Sequence, residues 1–130
     1  MAKKQRARSR EHWKEEPEDH DFPAAAAYLS LLLPDSDSAS IVEELRNAPA
    51  THRKANDLLR ASRLQLLPKT DAEVMKDLKK VAGGESLSPV LLVRGRGAVP
   101  LMVADGYHRI CASYHLDEDA DIPCRLVDSP

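Results

Sequence analysis

The sequence predicts an α/β (α+β) fold: a small mixed sheet packed by helices, with an N-terminal helical segment. Two continuous apolar runs, Val90 to Val93 and Leu101 to Ala104, are the kind a buried strand needs. Capped amphipathic stretches lie before and between them, which places helices against that sheet. A length of 130 residues fits one domain. Apolar residues at 42% are enough for a core, but aromatics at 4% are scarce. The core must therefore come from Leu, Val, Ile and Ala, and base stacking on rings is an unpromising mode of recognition.

Residues 1–20 read as a flexible charged arm with Trp13 as its one large anchor. Lys3, Lys4, Arg6, Arg8 and Arg10 stand in the first ten residues without an acid, and an acidic run from Glu11 to Asp21 follows. Such an arm can touch nucleic-acid phosphates, though the overall charge of −2 is not that of a committed DNA binder.

Residues 21–62 read as helical. Asp21 is placed to cap a first helix that Pro34 ends, and Ser36 or Asp37 to cap a second with Ile41, Val42 and Leu45 on its inner stripe. Thr51 is expected to cap a third, running to about Ala61. From residue 63 to 130 the pattern becomes mixed. Arg63 to Leu67 is a strand candidate. Thr70 and Glu73 form a capping box for a helix with Val74, Leu78 and Val81 inward, which Gly83-Gly84 closes. The two buried runs follow, joined by the turn Arg94-Gly95-Arg96-Gly97. A short helix from about Tyr107 to His115 and a last strand, Ile122 to Val127, complete the chain.

The stretch that carries chemistry is Asp105-Gly106-Tyr107-His108-Arg109. A buried strand enters a tight turn and a helix starts at once. Gly106 permits positive φ and leaves no side chain in a ligand's way. The first helical amides lack partners, and with the dipole they attract an anion. His108 and Arg109 add charged donors to the same place, and Asp105 is a candidate base or metal contact. Cations at a helix start oppose the dipole, which makes an anionic partner the better explanation of both.

Residues 63–127 resemble the fold family shared by sulfiredoxin and the N-terminal domain of ParB partition proteins. The resemblance rests on the pieces Arg63 to Leu67, Asp71 to Val81, Ser88 to Val93, Asp105 to Ala112 and Asp121 to Val127, in that order. It implies that the Gly-x-His-Arg turn grips nucleotide phosphates. Tyr107 stands where sulfiredoxin needs its cysteine, so sulfinic-acid repair is not expected. The partition proteins' Glu-Arg after the glycine is replaced by Tyr107 and His108, and their helix-turn-helix domain is not expected after Pro130. The motif is most similar to the Asp-Gly-His-His-Arg turn of free serine kinases, with Tyr107 in place of the first His. The resemblance also places the helix from Asp71 beside the nucleotide, where Glu73, Lys76 and Lys80 share a face.

The expectation is a nucleotide-phosphate-binding protein that uses ATP, ADP or CTP, with Mg²⁺, for phosphoryl transfer to an unidentified acceptor or for hydrolysis. Asp105 and His108 are the expected catalytic residues. Gly106, Tyr107, His108, Arg109, Lys76 and Lys80 are the expected nucleotide contacts, with Glu73 or Asp71 as a second carboxylate. The alternatives are a nucleotide-sensing or nucleic-acid-contacting regulator and, more weakly, a nuclease.

Other clusters read as ordinary structure. Thr51-His52-Arg53-Lys54 looks superficially like a second anion site at a helix start, but more simply like a charged face. His115 suits a helix C-terminus, and the acids Asp117 to Asp121 suit a solvated turn. Cys111 and Cys124 have no metal-ligand spacing and read as reduced core residues of a soluble cytoplasmic protein.

Overall fold

The computed structural model describes residues 12–130, so the basic cluster at Lys3 to Arg10 lies outside the described residues. Among the described residues, five helices and a four-stranded sheet make up the mixed fold expected. In chain order the elements are α1 (Asp21–Leu29), α2 (Asp35–Asn47), β1 (Thr51–Lys54), α3 (Ala55–Ser62), α4 (Ala72–Ala82), β2 (Val90–Arg94), β3 (Met102–Asp105), α5 (Tyr107–Leu116) and β4 (Asp121–Asp128). The sheet order is β1-β4-β2-β3. β4 runs antiparallel to β1 and parallel to β2, and β2 and β3 form an antiparallel pair.

The continuous apolar run of β2 has a simple cause: its two faces feed two cores. Val90 and Leu92 pack with α3, α4 and α5 through Leu58, Leu59, Val74, Val81 and Ile110. Leu91 and Val93 pack with α1 and α2 through Phe22, Ala25, Leu29, Ile41 and Leu45. A strand covered on both sides has no use for a polar alternate. The N-terminal helices therefore cover one face of the sheet.

Several local expectations need correction. Arg63 to Leu67 is no strand. Arg63 ends α3 in the left-handed region (φ 58°), and the following backbone is held by side chains of α5. Tyr107 donates to the carbonyl of Gln65 (2.6 Å) and His115 Nε2 to that of Leu67 (2.7 Å). The missing strand is Thr51–Lys54, read beforehand as the start of a helix. It is the polar edge of the sheet, paired only with β4. That removes Thr51-His52-Arg53-Lys54 as a helix-start anion site. It also puts β1 and α3 inside the α/β unit, upstream of the boundary expected at residue 63. Asp71, not Thr70, caps α4, accepting from the amides of Glu73 and Val74 (both 3.1 Å). α2 begins after Pro34 rather than at a serine or aspartate cap, and α1 ends at Leu29.

Residues 12–20 are not a loose arm. The amide of Lys14 donates to Leu87 (2.8 Å), and that of Leu87 donates to His12 (2.7 Å). This pairing seats Trp13 in the core beside Leu87. Removing a largely buried Trp costs about 3 kcal/mol or more. Trp13→Ala should lower the unfolding free energy from urea titration by that amount with an unchanged m-value; a change under about 0.5 kcal/mol would show that the segment does not hold the core.

Candidate functional site

The turn from β3 to α5 is built around Gly106. Its φ of 114° is in the left-handed half of the map, and an added Cβ would meet Cγ1 of Val90 at 2.5 Å. Both constraints require glycine there. The backbone reverses without a side chain in the way, and no side chain caps the amides that open α5. Those amides are left to whatever sits in front of the helix.

Arg109 turns back across this bend. Its Nη2 donates to Asp105 Oδ2 (2.8 Å) and to the carbonyl of Pro89 (3.2 Å), and its Nε donates to the carbonyl of Ser88 (2.9 Å). Nε and Nη2 of the guanidinium expected to hold a phosphate are thus engaged with the protein. Asp105, expected as base or metal contact, accepts one of these bonds through Oδ2. Burial pushes the Asp105 carboxyl above its ordinary pKa, against the pull of Arg109.

In front of α5 lies a polar cavity of about 210 Å³, walled by the turn and by one face of α4. Lys76, Lys80 and Glu73 come from α4, and Asp105, Gly106, Tyr107, His108 and Arg109 from the turn. The residues the sequence singled out in two separate stretches therefore share one wall. Tyr107 takes part with its OH already committed to Gln65. Asp71 does not take part, because it is the cap of α4.

The ninth wall residue, Asp77, is one the sequence reading passed over. It is 9% exposed, and no hydrogen-bond donor among the described residues reaches it. Burial raises its pKa, opposed by Arg109 and Lys80 and assisted by Glu73. The signal was present in the sequence: Val74, Asp77 and Val81 fall on one stripe of α4, so an acid occupies a core-facing position.

No family model matches this chain, and no curated protein or solved structure does either. Function has to come from the site's own chemistry. No helix among the described residues is long and apolar enough to cross a membrane. Cys111 and Cys124 are free and buried; burial pushes the thiol of Cys124 up to about 12, far from reactive.

Two outcomes follow. Gly106→Ala should cost about 3 kcal/mol in chemical denaturation, from the backbone strain and the collision with Val90. A loss below 1 kcal/mol would mean that the turn is relaxed. Asp77 has a raised folded-state pKa, so its ionisation opposes folding and its contribution declines as pH rises through that pKa. Asp77→Asn should therefore be more stable than the wild type at pH 7 to 8. The gain should close below about pH 4, where the unfolded carboxyl is also protonated. A variant less stable at neutral pH would reverse the assignment.

Proposed function

We propose that this cavity receives the phosphates of a nucleoside di- or triphosphate and that the protein uses them in phosphoryl transfer or hydrolysis. The observation that carries the proposal is the convergence of Lys76, Lys80 and His108 on the uncapped start of α5, behind a glycine that clears the approach. Each of these favours an anion, and the last two are what a phosphate site at a helix start consists of. The resemblance to the ParB and sulfiredoxin family supports the same reading, through the Gly-x-His-Arg turn placed between a buried strand and a helix.

The roles differ from a simple count of cations. Lys76, Lys80 and His108 neutralise the phosphates. Arg109 and Asp105 hold the shape of the turn, so the amides stay aimed at the ligand when charge moves. Fixed donors of this kind are most of what phosphoryl transfer needs from a protein. Among the described residues no three His, Cys, Asp or Glu side chains converge as metal ligands. Magnesium at phosphoryl-transfer sites is usually held by one or two carboxylates together with the phosphates, so the expected ion stays part of the proposal.

A ligand selective for the folded state at a hundred times its Kd adds about 2.7 kcal/mol of stability. Saturating ATP, ADP or CTP should thus raise the melting temperature by several degrees, and the effect should weaken as salt is added. Lys80→Ala should weaken nucleotide binding about tenfold or more in calorimetry, the loss of one charge-assisted contact. If none of the three nucleotides shifts the melting temperature, the proposal fails.

A further inference from the structure

We infer that Asp77 is the catalytic base of this site and that the second substrate is a hydroxyl compound, or water, that donates its hydrogen bond to that carboxylate. The inference rests on the nucleotide reading above and extends it to the acceptor.

The other inward-facing acids have partners. Asp105 holds Arg109, Asp71 holds the first amides of α4, and Asp21 accepts from the amide of Glu18 (3.0 Å). Asp77 is 9% exposed and lines the cavity, where no hydrogen-bond donor among the described residues meets its carboxylate. A carboxylate that lines a cavity without a donor from the protein is left for water or a ligand to satisfy with a hydrogen bond. Phosphate oxygens do not supply it, since like the carboxylate they accept. The missing partner has to be an O–H or N–H group lying within reach of the phosphates. In phosphoryl transfer the nucleophile is such a group.

The step balances without another reagent. The hydroxyl oxygen forms a bond to the terminal phosphorus. The bond from that phosphorus to the bridging oxygen breaks, and its electron pair leaves on the nucleoside phosphate. The hydroxyl proton passes to a carboxylate oxygen of Asp77 and goes to solvent after the product leaves. Burial makes Asp77 a stronger base than an exposed aspartate, which brings it closer to the working pH. The charged groups around it are Glu73, Lys76 and Lys80 from α4, and Asp105, His108 and Arg109 from the turn and α5.

The test compares the wild type with Asp77→Asn, which keeps the shape and removes the base. Calorimetry gives the affinity for ATP and CTP. Release of phosphate from each, into water and with glycerol as a hydroxyl probe, gives the rate across pH. The variant should bind nucleotide at least as tightly, since a negative charge has left the phosphate cavity. Its turnover should fall about 10²- to 10⁴-fold, the usual worth of a positioned base. The acid-side fall in the wild-type rate should vanish in the variant. A variant that turns over like the wild type overturns the inference. So does a wild type that binds nucleotide yet releases no phosphate, or a variant whose affinity drops along with its rate. A wild type that binds no nucleotide removes the phosphate reading first, and this inference with it.

Discussion

The bend between β3 and α5 depends on one clamp: the guanidinium of Arg109 against the carboxylate of Asp105, with the carbonyls of Ser88 and Pro89 as further acceptors. The two side chains are four residues apart across the bend and under one-fifth exposed. Three pieces of chain meet there: the approach to β2, the end of β3 and the start of α5. A partly buried pair held by extra hydrogen bonds is rigid, and breaking one side leaves a charge uncompensated. Gly106 lies inside the clamp, close enough that its own Cβ would touch Arg109. The fold thus fixes where α5 begins and which way its free amides point before any ligand is considered.

That division of labour explains what the sequence showed and what it hid. β2, β3, α5 and β4 were legible because apolar runs and turn residues agree there with the final packing. β1 was not, because an edge strand made of Thr51, His52, Arg53 and Lys54 buries little and carries no apolar alternation. Its register is set by β4, which is far away in the chain. Leu64, Leu66 and Leu67 suggested a strand by composition, but the backbone carbonyls of Gln65 and Leu67 are captured by Tyr107 and His115 and join no ladder. These are contacts between distant segments, which local propensity cannot report.

The site was legible to a similar degree. Glycine, histidine and the two lysines stood out because each suits an anion through its own chemistry, and they line one cavity. The roles of Arg109 and Asp105 depended on geometry: a cation beside a phosphate site and a cation locked into the wall look alike in sequence. Asp77 was hidden for the opposite reason. An acid in a helix of lysines and glutamates reads as surface until its position on the stripe of Val74 and Val81 is weighed.

The cavity's charge then sets its chemistry. Lys76, Lys80 and Arg109 share the walls of a space of about 210 Å³ with Glu73, Asp77 and Asp105. A site meant only to hold an anion gains nothing from three acids, because each repels phosphate more strongly as water is excluded. Two are accounted for by position: Asp105 is paired, and Glu73 sits at the open first turn of α4. Asp77 alone is both inside and unpaired. The space is also smaller than the roughly 300 Å³ at which whole-ligand pockets begin, so on the proposed reading it takes the phosphate end of a nucleotide and leaves the nucleoside outside. On the proposed reading, the protein recognises charge and a hydroxyl group in this cavity, and choice of base falls to surface beyond it.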